Sequence, residues 1–496
     1  MSAPGEAPFP DPVYRDTVLA PLFDHARRDH AEGFRRIDRA HLVMLDRTGI
    51  LPREVSARIA RALVEIDREI DPGTLVYTGE VEDYFFLREA ELKARVGADT
   101  GGRLHTARSR NDIDHTVFKM ALRGRAAAIL GAVHELAATM LSVAEREKRT
   151  LVVAYTHGQP AQPTTWGHYL GGAVEVLLRD AHRLCEAADL LELCPMGAAA
   201  ITTSGFPVDR ARVAHLLGFE RPMANSYGAI ASVDYFTGLY SALKLVFVHL
   251  GRVVQDMAFW SAFEVGQLRL PDALVQVSSI MPQKRNPVPI EHMRHLAAMT
   301  AGRCDAMVDA VRNTPFTDMN DSEGEVQQAG YAAFESGGRM LALLAAVLRG
   351  ARIDGDRVRL NADRACVTVT ELADTLVRRE GLTFRQAHHV AAATARAVIA
   401  AGVPLGGGFD AFGAAFRDAA GRPPVLDRDA FAEAVAPETF VARRDRLGGP
   451  APAALDEALA RYHDDLAFLR AAARRRADRH EAGALARAEA FAALET

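Results

Sequence analysis

Three stretches of this chain run for tens of residues with almost no proline and with apolar residues over much of their length. Asp114 to Thr150, Ala229 to Leu268 and Pro287 to Arg312 each read as one helix. The last is opened by proline in its first turn, where a backbone N–H has no helical partner anyway. Thr164 to Leu191 and Glu325 to Leu348 read the same way. Ala, Leu, Arg and Glu dominate, and alternating β-branched runs are scarce, so helix rather than strand is predicted. Helices of roughly 25–40 residues exceed the usual globular length of about 11–12 and fit a long bundle. A helix apolar around much of its circumference has more than one face to bury. Packing between subunits is the natural way to do so, and a homo-oligomer is predicted.

At 496 residues the chain is too long for one ordinary core. Segments before about Arg110 and after about Ile353 are shorter, and GVPLGGGFD and GRPPVLD read as loops between short helices. The predicted fold class is mainly α, in three domains: an N-terminal helical domain (1–112), a central long-helix bundle (113–352) and a small C-terminal helical domain (353–496). The formal net charge of −5 is small for this size and points to neither nucleic acid nor a membrane surface as partner. No run of about 18 apolar residues predicts a membrane span. The N-terminal MSAPGEAPFPDP lacks the basic-then-apolar pattern of a signal peptide. Cys185, Cys194, Cys304 and Cys366 form no CxxC pair, so a zinc site has no support. Four scattered cysteines predict reduced, mostly buried thiols and a cytoplasmic location.

Three polar segments carry the chemistry. Val277-Ser278-Ser279-Ile280-Met281-Pro282-Gln283-Lys284-Arg285-Asn286-Pro287 sets two hydroxyls, two cations and an amide just before a long helix. Such a loop can close over an anion: Lys284 is a point charge, Asn286 a directional donor, and the helix start adds free N–H groups. The competing reading is a capped helix start with solvated basic residues. In His105-Thr106-Ala107-Arg108-Ser109-Arg110-Asn111-Asp112, Arg110 can grip a carboxylate in bidentate fashion with Ser109 and Asn111 beside it. Here the alternative is an N-cap at Asn111 or Asp112 with the arginines in water. Tyr155-Thr156-His157-Gly158-Gln159-Pro160-Ala161-Gln162-Pro163 is a proline-punctuated break offering His157 for acid–base work and Thr156 or Gln162 as carboxylate donors. A histidine in a turn is otherwise simply exposed.

Taken together, these blocks resemble the argininosuccinate lyase branch of the aspartase/fumarase superfamily. SSIMPQKRNP looks like the superfamily's signature loop, and HTARSRND and YTHGQPAQPTTWGHYL are similar to two further blocks of that branch. GFPVDRARVAHLLGFE and ELADTLVRREGLTFRQAHHV extend the likeness, which runs in order from about Glu82 to Ala391. The resemblance implies a tetramer with a central bundle, in which each active site gathers its blocks from three subunits. It also implies a carbon–nitrogen lyase that removes a proton beside a substrate carboxylate, expels an amine from an N-substituted aspartate and leaves fumarate. A carbanion spread onto a carboxylate needs donors and positive charge preorganised around that carboxylate.

By position in the motifs, the resemblance makes Ser278 the base, with Lys284 stabilising its alkoxide. Ser279, Met281 and Asn286 then line the substrate carboxylate, and Ser109, Arg110, Asn111 and Thr156 hold the fumarate half. Gln162 is a further binding residue. His157 serves the acid side, and Glu291 is its carboxylate partner. No metal or organic cofactor is implied.

The amine side departs from the family's pattern. Where a stretch with Tyr, Gln and Lys is usual, this chain has Pro315-Phe316-Thr317-Asp318-Met319-Asn320-Asp321-Ser322-Glu323, with Glu323 near the place of the lysine. An anion there repels an amino-acid carboxylate and attracts a cationic amine. Tyr84 follows Glu82-Asp83 where a histidine is common, Val277 replaces a glycine, and Met196 to Thr203 and Asn225 to Asp234 are altered blocks. The expected substrate is argininosuccinate or another N-succinyl amine such as ethylenediamine disuccinate. A non-catalytic, crystallin-like structural protein is the alternative of another class. The retained Ser278, Lys284, Asn286 and His157 argue against it.

Overall fold

Apolar residues on one face of each of three helices, α1 (Ala31–Arg47), α2 (Arg53–Glu69) and α3 (Tyr84–Val96), build the N-terminal core around Ile37, Leu42, Ile59, Leu63 and Tyr84. The structure is a computed structural model describing residues 9–322 and 324–495. The chain then enters its long helices. α4 (Arg110–Arg146) has 37 residues, about 55 Å at 1.5 Å per residue. With α5 (Trp166–Asp189), α6 (Asp234–Ser261), α7 (Val288–Asp309) and α8 (Glu325–Gly350) it encloses one continuous apolar core.

The five long helices predicted from the sequence are present, with ends set by capping rather than by apolar pattern. Ser109 caps α4, with Asp112 completing a capping box, several residues before the predicted start. The segment beginning at Ala229 is broken: Asn225 caps a short helix, Ser226–Ala231, and extended backbone at Ser232 precedes α6. By length and composition α4 and α8 are apolar enough to cross a membrane, but 56% and 61% of their most apolar windows lie buried within the protein.

Side-chain contacts fix the helix directions. His115 near the start of α4 meets Tyr235 at the start of α6 (3.3 Å), and Thr139 near the end of α4 meets Arg349 at the end of α8 (3.4 Å). α4, α6 and α8 therefore run the same way. α7 runs back, because Lys244 pairs with Asp305 (2.6 Å) and Arg294 with Gln255 (3.3 Å). α5 also runs back, since Lys119 on α4 donates to the carbonyl of Leu190, just past its end (3.0 Å).

Two short antiparallel hairpins interrupt the helices: β1 (Leu151–Thr156) with β2 (Gln159–Thr165), and β3 (Gln276–Val277) with β4 (Arg285–Asn286). Tyr155 packs edge-on against Phe259, ring centroids 5.1 Å apart, so the first hairpin sits at the finishing end of α6.

A third core around Phe412, Phe416 and Phe431 gathers α9 (Val369–Glu380), α10 (Phe384–Ala401) and α11 (Phe409–Ala420). The last helix, α12 (Pro452–Glu495), has 44 residues where the sequence predicted only shorter segments. It runs back along the bundle: Leu455, Leu459, Leu466 and Leu469 join the bundle core, while Phe491 and Leu494 join the N-terminal one. Its apolar stripe is narrow and sits in an Ala- and Arg-rich run, so no broad amphipathic face marks it in the sequence. Buried Glu192 ties it down, receiving Arg479 and His480 at 3.0 Å each. All four cysteines are free and buried.

Candidate active site

The HTARSRND block is held from beneath by the N-terminal domain. Arg108 is buried and donates to Asp38 at 2.8 Å; Arg88 donates to the other Asp38 oxygen at 3.0 Å. Burial pushes the Asp38 carboxyl up, but the two guanidiniums outweigh it and hold it below the usual carboxylate range. His41 meets the Thr106 carbonyl at 2.9 Å. The two arginines of the motif therefore divide: Arg108 is structural, whereas Arg110 opens onto a cleft.

At the start of α4, Ser109 Oγ donates to Asn111 Oδ1 (3.1 Å), and Asn111 Nδ2 donates to the Ala200 carbonyl (3.1 Å). Arg110 Nη1 donates to Glu82 (2.9 Å) and Asp83 (2.8 Å), with its guanidinium over the Phe86 ring. Burial lowers the Arg110 pKa, but the two carboxylates more than reverse this and make its charge still more persistent. The cleft is open to solvent. Arg110 and Asn111 share its lining with Glu82, Asp83, Asp114, Asp318, His25 and His30.

His25 lies 3.1 Å from Gln327, and His30 lies 2.9 Å from the Tyr331 hydroxyl. Burial lowers both imidazole pKa values, which favours neutral rings. Sequence reasoning missed these histidines and Gln327, because nothing local distinguishes a cleft histidine from a core one. The Glu82-Asp83 pair did carry a signal, two carboxylates before a helix. Tyr84, at the position where a histidine is common, is buried against Phe23 and Phe34. Glu323 lies outside the described residues.

The second block forms the tip of the first hairpin. His157 and Gly158 both have positive φ (53° and 73°), the two-residue turn that suits the strand twist. Thr156, His157 and Gln162 are exposed, and Gln162 reaches Thr370 of α9 at 3.5 Å.

The signature loop spans the second hairpin, with Gln276 opposite Asn286 and Val277 opposite Arg285. Ser278 Oγ accepts the N–H groups of Ile280 (3.4 Å) and Met281 (3.1 Å). Ser279, Met281 and Lys284 are exposed, and Lys284 forms no ion pair among the described residues. Arg285 is engaged with Asp272 and the Leu270 carbonyl instead. Glu291 is exposed in the first turn of α7, and no bond joins it to His157 among the described residues.

Within one chain the blocks thus occupy two places. Ser109, Arg110 and Asn111 lie where α4 begins. Ser278, Ser279, Met281, Lys284, Asn286 and Glu291 lie where α7 begins, at the opposite end of the bundle. Thr156, His157 and Gln162 sit near that second end. The 22 residues of α7 separate the two places by about 33 Å.

The chain matches the family model described as Lyase over residues 45–302 and that for the argininosuccinate lyase C-terminal region over 366–442. It is 58% identical to argininosuccinate lyase 2 of Agrobacterium fabrum over 487 residues, covering 98% of this chain and 97% of that one. It is 36% identical to the argininosuccinate lyase of Methanoculleus marisnigri, covering 84% of each. Among solved structures, a variant of EDDS lyase with bound fumarate superposes with a TM-score of 0.85 at 27% identity, covering 98% of this chain and 96% of that one.

A bundle of such long helices, bearing a basic hairpin loop at one end and an arginine-headed helix at the other, is the architecture of the aspartase/fumarase superfamily of lyases. Both the central and the C-terminal regions narrow that class. The chain belongs to the argininosuccinate lyase family and is a carbon–nitrogen lyase.

Proposed function

We propose that this chain eliminates the amine from argininosuccinate, or a close N-substituted aspartate, to give fumarate, in active sites shared between the subunits of a homotetramer. With argininosuccinate the other product is arginine, which makes the reaction a step of arginine biosynthesis. The observation that carries the reading is the signature loop. Ser278 Oγ already accepts two backbone N–H groups, the environment that stabilises an alkoxide, and exposed Lys284 forms no ion pair among the described residues.

In this mechanism Arg110, Asn111, Ser109 and Thr156 grip the succinyl half. Ser278, deprotonated, takes the proton beside the carboxylate, whose developing charge meets Lys284, Asn286 and the N–H groups of the loop. Ser279 and Met281 line that carboxylate, and Gln162 adds a contact from the hairpin. His157, partnered by Glu291 in the assembled tetramer, serves the departing amine. The distance of about 33 Å between the Arg110 and Ser278 ends of one chain supports sharing, because antiparallel neighbours bring opposite ends together. The three largest hydrophobic clusters lie mainly within 1–112, 113–352 and 353–496, which favours that division, although residues 194–219 also pack into the N-terminal core and α12 returns across the first two. Four buried free thiols favour a reducing cytoplasm.

The cleft beside Arg110 carries Glu82, Asp83, Asp114 and Asp318, an acidic lining that suits an amine half bearing positive charge. The test is direct. Purified protein with argininosuccinate should raise the ultraviolet absorbance of fumarate, and arginine should appear in equal amount. Failure to release fumarate from argininosuccinate would reject this substrate.

A further inference from the structure

Asp112 has no role in the mechanism above, yet its carboxylate is the most enclosed acidic group near the site, 0% exposed. Its partners are backbone N–H groups from two separate segments. Oδ1 accepts from Ser109 (2.9 Å); Oδ2 accepts from Gly197 (2.9 Å) and Ala199 (3.0 Å). Residues 197–203 form a loop with left-handed backbone at Gly197 (φ 81°), Ala199 (53°) and Thr203 (64°). For the two non-glycine residues that conformation is intrinsically unfavourable, so surrounding contacts must hold it.

The contacts are specific. Arg210 Nε donates to the Met196 carbonyl at 3.0 Å, Ala198 is fully buried beside Ala229 and Ile230, and Thr203 N–H closes onto the Ala198 carbonyl at 2.8 Å. The loop in turn supplies the Ala200 carbonyl that holds Asn111. One carboxylate therefore joins the loop to the helix start that carries Ser109, Arg110 and Asn111.

We infer that Asp112 is a positioning residue: its carboxylate clamps the 197–203 loop to the first turn of α4 and so sets the orientation in which Arg110 and Asn111 grip the substrate carboxylate. Three N–H donors converge on two oxygens. Asparagine has the same size but only one acceptor oxygen, so at least one N–H must face an NH₂ group. Because Arg110 and Asn111 hold the carboxylate in ground state and transition state alike, slackening them weakens binding more than turnover.

This inference rests on the proposed placement of the succinyl half. The experiment separates the two by titrating fumarate into the full-length protein calorimetrically, alongside steady-state kinetics with argininosuccinate. Asp112→Asn is expected to raise the fumarate Kd and the KM about tenfold, with kcat changed by less than about threefold. Ala199→Pro removes one clamped N–H and the left-handed backbone while leaving Asp112 in place, and it should weaken fumarate binding in the same sense. In the Asp112→Asn background, Ala199→Gly relieves the left-handed cost and should restore part of the loss. A purely structural Asp112 would lower the melting temperature and the active fraction without moving Kd or KM. The inference is overturned if folded Asp112→Asn or folded Ala199→Pro binds fumarate within about twofold of wild type. If wild type binds fumarate but leaves argininosuccinate intact, the proposed substrate fails while the Kd comparison still decides the role of Asp112.

Discussion

Two inactive variants mixed in one tetramer give the sharpest test of the divided site. Ser278→Ala removes the proposed base, and Arg110→Ala removes the carboxylate grip, so each homotetramer alone should be inactive. The two residues lie at opposite ends of the bundle, separated by the 22-residue length of α7, about 33 Å. No succinyl unit spans that distance, so the proposed mechanism takes Ser278 from one subunit and Arg110 from another. If subunits assort at random from an equimolar mixture, each contributor is intact half the time, and about one quarter of sites are wholly intact. A 3:1 mixture gives about three sixteenths. If both groups came from the same chain, every site would carry one defect and recovery would be zero at any ratio. The assay is fumarate absorbance after co-refolding or co-expression of the two variants, normalised to wild type treated identically. Activity no higher in the mixture than in the separate variants, with mixed tetramers confirmed by mass, would refute the shared site.

Other outcomes follow from the same structure. Ser278→Ala alone should slow fumarate formation by about 10²–10⁴-fold while sedimentation and circular dichroism stay unchanged; near-normal rates would remove the base assignment. Glu192→Ala should cost about 3–5 kcal/mol of stability, because it strands buried Arg123 and the α12 cations Arg479 and His480; urea titration reads this. Burial raises the Glu192 carboxyl pKa, but His480, Arg123 and Arg479 outweigh it and hold it below the ordinary value. Its stabilisation is therefore present above the unfolded carboxylate range and lost as pH falls through the folded value. The gap in melting temperature between wild type and Glu192→Gln should accordingly narrow in acid. Gly167→Ala would set a methyl 2.7 Å from Lys148 Cα and against the Ala144 carbonyl, both main chain. It should force α5 off α4 and cost about 1–3 kcal/mol, seen as a lower urea midpoint.

Much of this was legible from local pattern alone. Long proline-poor apolar runs specify long helices because helix propensity and periodicity act within a few turns, and caps such as Ser109 act within three residues. The three polar blocks were legible too, since each is contiguous in the chain. Tertiary structure decided what contacts across the chain decide. Arg108 and Arg110 are two residues apart and chemically identical, yet burial against Asp38 takes one out of the site and leaves the other facing the cleft. Asp112 reads as an ordinary cap until Gly197 and Ala199, 85 and 87 residues away, bring their N–H groups to it. The narrow stripe of α12 announced no long helix, because the surfaces it covers come from residues more than 250 positions earlier. The separation of Arg110 from Ser278 follows from helix directions, which a one-dimensional pattern of apolar residues does not encode.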